Sequence, residues 1–123
     1  MTETTQKVLV IDDDRTVLDL IKTTLEERGF EVHTAASSRE ALRLIRENSY
    51  HLAFLDLVLP DMNGILLSQE IRKLAPSLLD HTVFMTGVTL EQGTIDYFQS
   101  FSGGFLKKPL RLASIDEALR RVA

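Results

Sequence analysis

The sequence predicts an α/β protein: one doubly wound sheet of five parallel strands with helices on both faces. Three observations predict it. Short apolar runs alternate with stretches of helical period five times along 123 residues, and that alternation builds a parallel sheet because each crossover is right-handed. The gaps between the pieces are too short for a linker, and no internal repeat or low-complexity tract interrupts them. Finally, three of the strand-like runs stop on charges: VLVIDDD on Asp12, Asp13 and Asp14, LAFLD on Asp56, and FLKK on Lys108. Such sheets place their ligands outside the carboxyl ends of the strands.

Each element follows from local chemistry. Residues 7–11 are a continuous apolar run, as expected of a strand buried on both faces. Residues 15–28 carry Val17, Leu18, Ile21 and Leu25 at helical spacing, and Gly29 stands where a helix C-cap belongs. Residues 30–35 predict a second strand. Ser37 or Ser38 is suited to cap a helix holding Ala41, Leu42 and Ile45. Residues 51–55 predict a third strand, followed by a turn or loop over Pro60-Asp61-Met62-Asn63-Gly64. Residues 65–75 predict a helix that Pro76 stops. Residues 81–85 form the fourth strand, 90–100 a fourth helix, 104–106 a short fifth strand and 112–122 the last helix. The expectation is one domain over residues 1–123 with its core over about 7–122.

Composition narrows the function. The net charge of −4 argues against a nucleic-acid surface. No residue is cysteine, so disulfides and thiolate metal sites are excluded. No apolar stretch is long enough to span a bilayer, and the start, MTETTQK, lacks a signal-peptide core. A cytoplasmic location is the expectation.

With strand order 2-1-3-4-5, the first and third strands are neighbours at the reversal point, and Asp12, Asp13 and Asp56 converge. Three close carboxylates need protons or a cation. Mg²⁺ suits them, because it takes hard oxygen ligands and leaves positions for phosphate oxygens. A carboxylate beside that metal can attack phosphorus. Phosphoryl transfer then needs charge neutralisation, which Lys108 supplies, and a hydroxyl donor, which Thr86 at the end of VFMT supplies.

The acidic pair in VIDDD, the acceptor in DLVLPDMNG, the threonine in MTG and the lysine-proline pair in FLKKP, in this order, resemble the receiver domain of two-component response regulators, the CheY-like family. The resemblance covers nearly the whole chain and implies a flavodoxin-like (βα)5 three-layer sandwich. It implies phosphorylation at Asp56 by a sensor histidine kinase or histidine phosphotransfer protein. It implies Mg²⁺ ligation by Asp13, Asp56 and the Val58 carbonyl, with Asp12 supporting the metal mainly through water. It further implies phosphoryl contacts from Thr86 and Lys108, a Lys108–Pro109 bond of a kind often cis, and Phe105 as an aromatic switch. The surface of the fourth helix, fifth strand and last helix would then control an output partner or a homodimer. No membrane contact, direct nucleic-acid binding or separate substrate turnover is expected. Val58 and Val88 stand where the family controls access of water to the acyl phosphate. Neither can hold a water by hydrogen bonding, so slow self-dephosphorylation is expected.

Other readings compete for the same residues. Asp14 is better suited to cap the following helix than to join the site. Asp12-Asp13-Asp14-Arg15-Thr16-Val17 also fits the D-x-D-x-T-V motif of haloacid-dehalogenase-like phosphatases, with Asp12 as nucleophile. That reading gives Asp56 no role and lacks a later acidic pair. A receiver-fold binding module that never uses phosphate is a further alternative. His33, His51 and His81 lie far apart in sequence and read as surface or satisfied core residues. Tyr97, Phe98, Phe101 and Phe105 either pack beneath the fourth helix or leave a partner surface exposed, and burial of both Tyr97 and Phe98 would exclude the surface. Phe101-Ser102, Gly87 and Leu110 depart from the family's usual Gly-Ala pair, alanine and aromatic residue.

Overall fold

The structure, a computed structural model, describes residues 6–122. Its strands are β1 (Lys7–Ile11), β2 (Glu31–Ala35), β3 (Leu52–Asp56), β4 (Thr82–Thr86) and β5 (Phe105–Lys107). Its helices are α1 (Arg15–Glu27), α2 (Ser38–Glu47), α3 (Gly64–Leu74), α4 (Pro76–Asp80), α5 (Gln92–Gln99) and α6 (Leu112–Val122). The sheet is parallel throughout, in the expected order β2-β1-β3-β4-β5.

Alternate residues of each central strand feed opposite layers, which is why these runs are apolar without interruption. Leu9, Ile11, Ala53, Leu55 and Phe84 pack with the buried side chains of α2, α3, α4 and α5. Val8, Val10, Leu52, Phe54, Val83 and Met85 pack against α1 and α6. Each fully buried leucine or phenylalanine contributes about 1.5–3 kcal/mol, so the two layers hold the strand ends rigidly.

The helices start and stop where the sequence supplies a cap. Asp14 is extended and accepts from the Thr16 amide at 2.9 Å. Ser37, rather than Ser38, caps α2 through the Glu40 amide. Gly29 follows α1 at φ +89°, a left-handed conformation that favours glycine.

One helix was not anticipated. Pro76 does stop α3, but it also opens α4, because a proline at the first helical position needs no N–H partner and has its φ already set. Leu78 and Leu79 are buried and anchor the extra turn. The expected fourth helix is therefore α5, shorter at both ends, and the last helix is α6. Both β3 and β4 run one residue further than expected, so Asp56 and Thr86 are the final residues of their strands.

Candidate functional site

The reversal in strand order lies between β1 and β3, and there the carboxylates meet. One oxygen from each of Asp12, Asp13 and Asp56 lies within 4.8 Å of the others. Asp12 and Asp56 are buried, while Asp13 is exposed at the rim. Asp12 is positioned by its backbone, whose N–H donates to the Ala35 carbonyl at 3.0 Å, and its Oδ1 accepts the Asp14 amide at 2.9 Å. Asp56 Oδ1 accepts the Val58 amide at 3.0 Å.

Lys108 closes the cluster from the far side. Its Nζ donates to Asp56 Oδ2 at 3.0 Å and lies 2.5 Å from Asp12 Oδ2. The contact with Asp12 is ionic rather than an aligned hydrogen bond, and Asp12 Oδ2 is buried without another partner. Burial pushes the Asp12 carboxyl up to about 6, with the charge of Asp56 adding to it and Lys108 and the Asp14 amide opposing it. Burial would lower the Lys108 ammonium, but its close contacts with the carboxylates of Asp12 and Asp56 outweigh that and raise the value. One cation thus balances two carboxylates in a place largely shut off from water.

Thr86 stands at the same edge, and Phe105 lies two positions back from it along β5. Thr86 is buried, and its hydroxyl accepts the Val88 amide at 3.2 Å, which leaves its own proton free to donate. Its carbonyl accepts the Lys108 amide at 2.8 Å, which ties the lysine loop to β4. The Lys108–Pro109 bond is cis. Phe105 is half-buried beside Phe84, its register partner. Val58 and Val88 are 52% and 48% exposed and rim the pocket with apolar surface.

The residues present fit a hard divalent cation. They offer three oxygen donors, one of them a buried carboxylate oxygen with only an ammonium for company. The antiparallel Val58–Asn63 bridge closes through the Gly64 amide and the Leu57 carbonyl, so the Val58 carbonyl takes no part in it.

A family model described as "Response regulator receiver domain" matches residues 8–120. The chain belongs to that family. Over 103 residues this receiver domain is 31% identical to the transcriptional regulatory protein SrrA of Staphylococcus aureus, spanning 84% of this chain and 42% of that protein. The receiver domain therefore spans less than half the length of the curated relative it matches. A CheY-like receiver domain protein from Methanospirillum hungatei JF-1 superposes with TM-score 0.84 at 29% identity, covering 95% of this chain and 92% of that one. A response regulator from Burkholderia pseudomallei, solved with a phosphorylated aspartic acid, calcium ion and citrate, gives TM-score 0.79 at 27% identity. It covers 93% of this receiver domain and 66% of that chain.

The structure also corrects and extends the sequence reading of this receiver domain. Asp14 is committed to its cap, so it is not free to be the acid that the phosphatase motif requires. His51 and His81, far apart in sequence, stack with ring centroids 6.0 Å apart, because parallel β3 and β4 bring their preceding residues side by side. His33 is satisfied by Tyr50 and Glu31 at 2.7 and 2.8 Å. Asp61, read only as a turn residue, bonds to the start of α2. No local pattern marks that contact, since its partners lie 22 and 23 residues earlier.

Among the described residues no helix is long and apolar enough to cross a membrane.

Proposed function

We propose that this receiver domain is a phosphoryl-accepting switch whose acceptor is Asp56. The observation that carries the reading is Lys108 Nζ, 3.0 Å from Asp56 Oδ2, beside a cluster of three carboxylate oxygens within 4.8 Å. One Asp56 carboxylate oxygen attacks phosphorus. The new O–P bond forms as the bond from phosphorus to the donor's imidazole nitrogen or acyl oxygen breaks, and that electron pair leaves with the donor. Asp13, Asp56 and the Val58 carbonyl would hold Mg²⁺, with Asp12 supporting it, and the bound ion would supply charge neutralisation for the phosphoryl oxygens. Lys108 moves its ion pair from the carboxylates to a phosphoryl oxygen, and Thr86 donates its free proton to another. The phosphorylated aspartic acid of the Burkholderia protein supports an acceptor carboxylate, and that structure also contains a divalent cation, calcium.

The donor in this reading is a cytoplasmic sensor histidine kinase or histidine phosphotransfer protein, and no separate substrate is turned over. Phe105 is the switch side chain. Thr86 moves toward the phosphate, the ring fills the vacated space, and the α5–β5–α6 surface changes for an output partner or a second copy. Tyr97, 38% exposed on α5 while Phe98 is buried, keeps that surface reading open.

Labelling with acetyl phosphate and Mg²⁺ tests the acceptor. Asp56→Asn is expected to abolish the covalent phosphate, while Asp12→Asn slows its formation. The opposite pattern would transfer the nucleophile to Asp12 and return the phosphatase reading. Mg²⁺ binding with no labelling from any donor would favour the phosphate-independent module.

A further inference from the structure

Asp61 is an exposed carboxylate that the phosphoryl chemistry does not use. Its Oδ1 nevertheless accepts the Ser38 amide at 3.0 Å and its Oδ2 the Arg39 amide at 3.1 Å. Hydrogen bonding from the Ser38 side chain, then from these amides, holds its carboxyl below the usual carboxylate range. Ser38 and Arg39 are the first two residues of α2, and the local cap, Ser37, serves only the Glu40 amide. Asp61 completes the cap from another part of the chain, satisfying two amides that the helix itself cannot.

The consequence lies in the loop that carries Asp61. Residues 57–63 leave the acceptor strand, pass Val58 and enter α3. The loop's other fastenings are the Leu57 amide on the Met85 carbonyl of β4 at 2.9 Å, the Val58 amide on Asp56, the Gly64 amide on the Leu57 carbonyl at 2.8 Å, the Asn63 side chain on the Leu66 amide, and the buried side chains of Leu57 and Leu59. These hold the ends of the loop and its core-facing side chains, whereas the two Asp61 bonds fasten its exposed tip to α2. The start of α2 is in turn tied to the site, since the Asp12 amide donates to Ala35, two residues before Ser37.

We propose that Asp61 is a positioning residue for the phosphorylation site: by clamping the β3–α3 loop to α2 it presets the Val58 carbonyl and Asp56 for the divalent cation. The proposal rests on the acceptor reading given above. Asp61 touches neither cation nor phosphate. Its effect is to remove the ordering cost that a loose loop would meet when the cation binds.

Three variants test this. Asp61→Ala removes both acceptors, and Asp61→Asn removes the charge but keeps one oxygen. Ser38→Pro deletes the donor at the first helical position, where proline is tolerated. Ser37 already has the extended backbone (φ −148°, ψ 162°) that a following proline requires. Mg²⁺ binding is titrated by calorimetry without any phosphoryl donor, alongside thermal unfolding and the initial rate of labelling by acetyl phosphate. Asp61→Ala is expected to weaken Mg²⁺ binding about five- to tenfold, at or below the lower edge of losses seen for outer-shell partners of a metal. Asp61→Asn falls between it and the wild type. The double variant Asp61→Ala/Ser38→Pro binds no more weakly than the weaker single variant, because both break one link. A folded Asp61→Ala with wild-type Mg²⁺ binding and labelling, and only a lower melting temperature, would reduce Asp61 to a helix cap and overturn the proposal. Should Asp61→Ala not fold, Asp61→Asn and Ser38→Pro make the same comparison. A wild-type chain that takes up no phosphate overturns the acceptor reading instead, and the phosphate-free titration still decides the clamp.

Discussion

At the scale of single residues, the site is a contest between burial and one cation. Asp12 has an ordinary carboxyl value of 3.8 and is raised to about 6, so the folded protein holds its proton more tightly than the unfolded chain does. That contribution to stability is complete below 3.8 and is lost as pH rises through about 6. Mg²⁺ needs the carboxylate form, so its affinity is expected to climb between about pH 5 and pH 7, with proton release at the acidic end. Calorimetry in buffers of different ionisation enthalpy measures both. Lys108→Ala leaves Asp12 and Asp56 without their counter-ion. The expected loss of stability is about 3 kcal/mol near neutrality, as for other broken buried pairs, and smaller near pH 5, where protons replace the ammonium. Urea unfolding at the two pH values checks the sign. Val58 offers an incoming water only apolar surface. The phosphorylated domain is therefore expected to lose phosphate over minutes or longer, and Val58→Asn to shorten that lifetime by holding a water. A wild-type lifetime of seconds by phosphate release would contradict this. Asp12, Asp56 and Lys108 were legible because each follows an apolar run; the sharing of one lysine between two buried carboxylates was not, because it arises between strands.

At the scale of elements, two glycines, one in α5 and one before β5, separate propensity from packing. Gly93 lies in α5 with nothing within 4 Å of where a Cβ would stand. Gly93→Ala is expected to stabilise the domain by about 0.5–1 kcal/mol through helix propensity and a stiffer unfolded chain. Gly103 sits in the turn before β5, where a Cβ would lie 2.2 Å from the Thr82 carbonyl oxygen. Gly103→Ala must push β4 and β5 apart, with an expected cost of about 1–3 kcal/mol. Thermal unfolding of the pair resolves the opposite signs. Strands and long helices were readable from period and caps: Asp14 before α1, Ser37 before α2 and Pro76 after α3 all do what their chemistry suggests. The short α4 escaped because a proline both ends one helix and begins another, and only the pocket that buries Leu78 and Leu79 decides between a loop and a turn of helix. The aromatic cluster was visible as composition. Its division into a buried Phe98, packed 4.6 Å from Phe84, and a partly exposed Tyr97 depends on how α5 lies on the sheet.

At the scale of the whole molecule, ligand and fold are linked. A cation that binds only the folded pocket stabilises it by mass action, about 2.7 kcal/mol at a hundredfold excess over Kd. The denaturation midpoint is therefore expected to rise with Mg²⁺, and Asp13→Asn to blunt that rise without unfolding the apo domain, since Asp13 is exposed. An unchanged midpoint across the Mg²⁺ titration would contradict a metal pocket at this edge. The order of five strand–helix units, the two-faced burial of the strands, the caps and the residues at the strand ends were all determined by the sequence itself. Hydrophobic period and capping are local, so they can be read from neighbours a few residues apart. The tertiary structure decided what those strand ends do to one another. The ion pairs of Lys108 with Asp12 and Asp56, the stacking of His51 on His81, and the fastening of Asp61 to α2 all join residues distant in the chain. Such contacts depend on distances that only the closed sheet sets.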